Sequence, residues 1–335
     1  MRKIPLLMLV VILCACKKNN QEVAIEKNKT NASVNIDYQQ EMRNFVIGIS
    51  KYAKSANPKF AVIPQNGISL VTVDGEKTSA PSTAYLNAID GNGQEDLYYG
   101  YDNDDQATTT KVTDELRSFL DISKNNGKKI LVTDYCSTPS NMTRSYKVND
   151  DNGYISFAAD ERELNNIPDF PAKINKENAN VITSISQAKN FLYLINNADN
   201  FTSKADFIKA VTATNYDALI MDAYFEKVAF TSAEVNALKK KANGGKRIVI
   251  SYMSIGEAEN YRYYWQNTWK PGNPVWLDAE NPKWKGNYKV KYWNKTWQNI
   301  IYGNDASYLK KILNAGFDGV YLDIIDAFEY YEGKN

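Results

Sequence analysis

Histidine is absent from the 335 residues. That absence removes Ser-His-Asp and Cys-His nucleophile systems, and with them His-ligated zinc and iron sites. Acid–base chemistry in this chain must use Asp, Glu, Tyr, Lys or Cys. Cysteine is scarce: of 3 residues, Cys14 and Cys16 fall in the N-terminal leader and only Cys136 lies beyond it. No internal disulfide is available there, and without a histidine base Cys136 reads as a small core residue. An excess of charge is lacking too, since 40 Lys and Arg stand against 39 Asp and Glu. Nothing in that balance suggests a nucleic acid or an acidic surface as a partner. No GxGxxG or GxxxxGK[ST] turn follows a strand, which argues against dinucleotide and P-loop sites.

The apolar run Ile4–Leu13 follows the basic start Met1-Arg2-Lys3 and is too short to span a membrane permanently. Leu13-Cys14-Ala15-Cys16 resembles a bacterial lipobox, which makes Cys16 the lipidated first residue of the mature chain. The expected organisation is a signal peptide over 1–16, a polar flexible tether over 17–36 and one domain over 37–335. Such a protein sits on the bacterial cell envelope and touches the membrane through its lipid alone.

What is present is an aromatic-rich chain, with 23 Tyr and 6 Trp, that is 43% hydrophobic and can bury a large core. Short apolar runs alternate with amphipathic ones. Strands are expected at Phe60–Pro64, near Leu86–Asp90, and at Ile130–Thr133, Tyr154–Ala158, Phe191–Ile195, Ala218–Met221, Arg247–Met253 and Val320–Leu322. Helices are expected from Asp37, around Lys111–Lys124, from Ser203 to Val211, after the capping box Thr231-Ser232-Ala233-Glu234, and around Tyr308–Ala315. About eight strands with intervening helices are the count and rhythm of a (β/α)8 TIM barrel. In such a barrel the C-terminal strand ends converge on one face. That face gathers Gln65, Asn66, Glu95, Asp134, Tyr135, Asp222, Glu257 and Asp323. So many carboxylates in one cleft point to acid–base work rather than to structural pairing alone.

Asp102-Asn103-Asp104-Asp105 opens like a calcium loop but lacks Gly at the sixth place and Glu at the twelfth, so it reads as a solvated turn. All six tryptophans fall between 265 and 297. They divide between the private core of a long insertion and an aromatic ledge over the cleft.

The runs Tyr252-Met253-Ser254-Ile255-Gly256-Glu257-Ala258-Glu259-Asn260-Tyr261-Arg262, Asn287–Trp293 and Gly316-Phe317-Asp318-Gly319-Val320-Tyr321-Leu322-Asp323 resemble glycoside hydrolase family 114, the endo-α-1,4-polygalactosaminidase family. Ile63-Pro64-Gln65-Asn66-Gly67 and Ala88–Asp96 resemble it as well. The resemblance implies a (β/α)8 barrel and an endo-acting retaining glycosidase. It makes Asp323 the nucleophile and Glu95 the acid/base, and it adds Tyr252 and Arg262 to the substrate-binding candidates. The block over 190–331 precedes the block over 38–165 in the usual family order, so this chain resembles a circular permutant. The implied substrate is an amino-sugar polysaccharide. A carboxylate pair requires no cofactor and no metal. The alternative is a carbohydrate-binding accessory lipoprotein that keeps the barrel without turnover.

Overall fold

The computed structural model describes residues 36–334. The leader, Cys16 and the tether up to residue 35 lie outside the described residues.

Eight parallel strands carry the architecture. They are β1 (Ala61–Pro64), β2 (Gly91–Glu95), β3 (Lys129–Tyr135), β4 (Ile155–Ala159), β5 (Phe191–Leu194), β6 (Ala218–Asp222), β7 (Ile248–Ser254) and β8 (Gly319–Asp323). Most are runs of Val, Ile, Leu and aromatics, buried along nearly their whole length, as strands covered on both faces must be. Five form one sheet in the order β1-β8-β7-β6-β5, and three form another in the order β2-β3-β4. A single parallel bridge between Gln65 and Gly93 joins β1 to β2. At the outer edges of the two sheets, β4 and β5 bring Phe157 and Phe191 to 5.9 Å between ring centroids.

Register places the strand ends side by side. Leu322 stands opposite Pro64, Asp323 opposite Ser254, Asp222 opposite Tyr252, and Glu95 opposite Thr133. Helices connect most successive strands. Tyr38–Ala56 is capped by Asp37, whose carboxylate accepts from the Gln40 amide at 2.8 Å. It buries Met42, Phe45, Val46, Ile49 and Ala53. Arg43, on the same helix, is also buried. Its guanidinium donates to the carbonyls of Leu70 and Thr72 and so pins the turn after β1. The Ser203 cap and the Thr231–Glu234 capping box form as expected.

Two expectations shift. Leu86–Ala88 closes a short helix, Thr83–Ala88, and the strand is Gly91–Glu95, separated from it by two residues. The segment after β7 folds into a three-stranded antiparallel sheet of Glu257–Glu259, Asn287–Val290 and Leu277–Glu280. Trp276 and Trp297 are buried beside it, with ring centroids 5.0 Å apart. Residues Asp37–Asn335 form one compact unit. No helix among the described residues is long and apolar enough to cross a membrane.

Candidate active site

Every one of the eight parallel strands, or the few residues after it, contributes to one cavity of about 370 Å³. Gln65 and Asn66 follow β1, Glu95 ends β2, and Tyr135 ends β3. Arg162 and Leu164 follow β4, Asn196 follows β5, Asp222 ends β6, Tyr252 lies in β7, and Asp323 ends β8. The antiparallel insertion adds Glu257, Glu259, Tyr261, Arg262, Asn287 and Trp284. Trp284 is the one tryptophan on the wall and is 47% exposed, while Trp276 and Trp297 are core. Both readings of the aromatic segment therefore hold, for different residues.

Asp323 accepts a hydrogen bond from the Tyr252 hydroxyl at 2.6 Å. Burial pushes its pKa up to about 8, and the charge of Glu95 pushes in the same direction; the Tyr252 hydroxyl and the Ile324 amide oppose them. Glu95 is held from two sides. Asn66 Nδ2 donates to its Oε2 at 2.9 Å, and the Tyr135 hydroxyl donates to its Oε1. The Arg162 guanidinium lies 3.9 Å from the centroid of the Tyr135 ring and pairs with Asp96 at 2.9 Å and Asp104 at 2.6 Å, which steadies that tyrosine. Burial and the Glu95 charge also raise Asp326.

The backbone is strained at these points. Asn66, Asp96 and Ile324 have φ values of 59°, 58° and 59°. Asn and Asp tolerate the left-handed region, but a β-branched isoleucine there is an outlier. Asp96 directly follows Glu95 and Ile324 directly follows Asp323, so each carboxylate sits beside a forced turn of the chain. Strain of this kind persists where the surrounding structure over-determines it, and it clusters at functional sites.

Farther along the wall, Arg262 pairs with Asp222 at 2.7 Å and with Glu259 at 2.5 Å. Glu259 also accepts from the Tyr261 hydroxyl at 2.7 Å. Burial raises Asp222 in spite of Arg262. Glu257 Oε1 takes Asn281 Nδ2 at 2.8 Å and Lys289 Nζ at 3.3 Å, while its Oε2 is buried without a partner. Six carboxylates line the cavity (Glu95, Asp222, Glu257, Glu259, Asp323 and Asp326) against two guanidiniums. The cavity is anionic and suits a cationic or hydroxyl-rich ligand.

Of the residues expected at this face, Asp134 alone is not brought to the cavity. It is fully buried and accepts from the amides of Tyr98 and Tyr99, from the Ser145 hydroxyl and from Asn149 Nδ2. Its place is in the packing between β3 and the helix Pro139–Asp151, not in ligand binding. Arg162, Asn196, Glu259, Tyr261 and Asp326 join the site beyond the residues expected there. Glu259 and Tyr261 lie inside a motif already singled out. Arg162 follows a strand end by three residues, as the convergence rule permits.

Residues 172–335 match the model of glycoside-hydrolase family GH114. This match spans just under half of the chain and supports GH114 membership. It carries Asp222, Glu257, Arg262 and Asp323, whereas Glu95 and Tyr135 come from the preceding half. The chain is 40% identical over 168 residues to an uncharacterized protein of Methanocaldococcus jannaschii, covering 48% of this chain and 44% of that one. It is 36% identical over 143 residues to an uncharacterized protein of Thermotoga maritima, covering 42% and 40%. A third, from Deinococcus radiodurans, is 38% identical over 128 residues, covering 38% and 39%. The chain thus spans less than half the length of the curated relatives it matches.

Proposed function

We propose that this protein is a retaining endo-glycosidase acting on α-1,4-linked galactosamine-type polysaccharide, with Asp323 as nucleophile and Glu95 as acid/base. The observation that carries this is the pair itself. Two carboxylates from different strand ends enter one cavity, each is aimed by a tyrosine hydroxyl, and the Glu95 charge raises the cost of ionising Asp323.

In the first step Asp323 attacks the anomeric carbon while Glu95 gives its proton to the departing glycosidic oxygen. In the second step Glu95 takes a proton from water, the water oxygen attacks the same carbon, and the Asp323 ester is released. One proton shared by the pair is what this sequence requires. Chemistry begins from the microstate with that proton on Glu95, while the Tyr252 hydroxyl and the Ile324 amide stabilise the Asp323 anion. The surplus of carboxylates around the cavity favours ammonium-bearing rings.

Contribution from all eight strands to one cavity supports a closed (β/α)8 barrel. The parallel pairing of β8 with β1 supports the permuted order. Lipid anchoring through Cys16 at the bacterial cell envelope is the localisation that the lipobox-like leader supports.

The test is cleavage of a polysaccharide panel by the domain from residue 37, including α-1,4-linked galactosamine, acetylated and deacetylated, beside galactose and glucosamine polymers. Asp323→Asn and Glu95→Gln should each lower turnover by about 10²-fold or more. If nothing on the panel is cleaved, yet polymer binds equally well to wild type and Asp323→Asn, the accessory-protein reading replaces this one.

A further inference from the structure

The cavity does not end at Glu95. A second cleft of about 300 Å³ shares Asn66, Glu95 and Asp326 with the first. Asp323 lines the first cleft only. This arrangement separates two chemical requirements. A nucleophile has to reach only the anomeric carbon of the sugar it captures. An acid/base must reach the oxygen that bridges two sugars, so it has to face the binding sites of both.

The second cleft is built to hold something. Gln94 lines it and is 5% exposed, and its Oε1 has no hydrogen-bond partner. The same side chain is otherwise fixed, with Nε2 donating to the Glu95 carbonyl at 2.9 Å and to Asn66 Oδ1 at 3.3 Å. A buried amide oxygen left open costs stability unless a ligand donor meets it. Tyr101 lines the cleft with 54% of its surface free, a ring available for stacking on a pyranose face. Glu115 and Glu329 add negative charge, and no Lys or Arg lines the cleft. Of the lining carboxylates, Glu115 is offset by Lys77 at 3.0 Å and Asp96 by Arg162 at 2.9 Å.

We infer that the second cleft binds the departing side of the polysaccharide, an amine-bearing pyranose whose bridging oxygen lies over Glu95. The chain of sugars then runs in one direction across the face, with the captured side in the Asp323 cavity and the released, reducing-end side against Gln94 and Tyr101. The inference rests on the carboxylate roles proposed above.

Its test compares galactosamine oligomers of defined length with an aryl α-galactosaminide, whose leaving group is a single ring. Tyr101→Ala and Glu115→Gln are surface changes that leave the core untouched. Tyr101→Ala should lower kcat/KM on the oligomers by about tenfold, the scale of one lost stacking contact. Its loss on the aryl glycoside should be several-fold smaller. Glu115→Gln should act in the same sense on deacetylated oligomers more than on acetylated ones. Equal losses on oligomer and aryl substrate, with the wild type active on both, overturn this assignment and leave the catalytic pair standing. Failure of the wild type to cleave either substrate overturns the carboxylate roles and this inference together.

Discussion

Asp323 is a carboxyl placed where its ionised form is costly. Its pKa rises from 3.8 to about 8 on folding, through burial first and the Glu95 charge second. The sign of the linkage follows. Between these values the unfolded chain has released a proton that the folded chain retains, so stability falls as pH rises through this window and levels off above it. An amide of the same shape keeps an acceptor for the Tyr252 hydroxyl and never ionises. Asp323→Asn should therefore melt above wild type, by about 1–2 kcal/mol near pH 8.5, with little difference near pH 4. Thermal melts at both pH values check this, and an equal gain at both would refute the linkage. Asp323 was legible in the sequence because it ends a short apolar run and closes a recognisable motif, and Glu95 because the resemblance covers the Ala88–Asp96 stretch in which it lies. Asp134 was misplaced for an equally local reason. Side chains alternate along a strand, so Asp134 and Tyr135 cannot both face the cavity. The tyrosine, two residues after the Glu95-paired Thr133, is the one that does.

At the scale of the element, β2 is the strand that composition hides. Gly91-Asn92-Gly93-Gln94-Glu95 has almost no β-branched or aromatic content, and the neighbouring Leu86–Asp90 looks more strand-like. The glycines are there because other groups occupy the space of their side chains. A Cβ on Gly93 would meet the Tyr321 hydroxyl at 1.9 Å and the ring carbon that bears it at 2.4 Å. Tyr321 projects from β8 and packs edge-on against Tyr193 at 5.2 Å, so a bare strand faces a large ring across the interior. Gly93→Ala should destabilise by about 1–3 kcal/mol through overpacking. The Tyr321 hydroxyl is buried without a partner, so Tyr321→Phe sheds one clashing atom at small cost and should return part of the loss. Urea unfolding of both single variants and the double variant would show this as a favourable coupling. Strict additivity would mean that the two residues do not share the space. The helical elements were easier to read from sequence, since their caps are local: Asp37, Ser203 and Thr231 each bond the amide three residues on.

For the whole molecule the question is whether the order of the two halves matters. The GH114 match begins at residue 172, and the segment 160–184 contains no regular helix or strand. At the other junction the described chain starts and finishes close together. Tyr38, which opens the first helix, lies 5.6 Å from Tyr331 in the last helix, centroid to centroid, and 5.0 Å from Trp293. The β1–β8 ladder is parallel and in register over Ala61–Pro64 and Gly319–Leu322. Folded contacts depend on which residues meet, not on which peptide bonds connect them, and ends that lie close tolerate exchange. A chain running from 172 to 334, joined by a short Gly/Ser linker to 37 and ending at 171, should therefore fold to the same structure. It restores the order the resemblance implies for GH114. Its circular dichroism should match that of the domain from residue 37, and its turnover of any polymer that domain cleaves should agree within a few-fold. The Asp323–Glu95 pair is the sensitive reporter, because the two carboxylates come from opposite sides of the new termini. A permutant that folds but loses the upward shift of Asp323 would show that continuity through 160–184 holds β2 against β8. Retained activity would show that strand pairing alone does so.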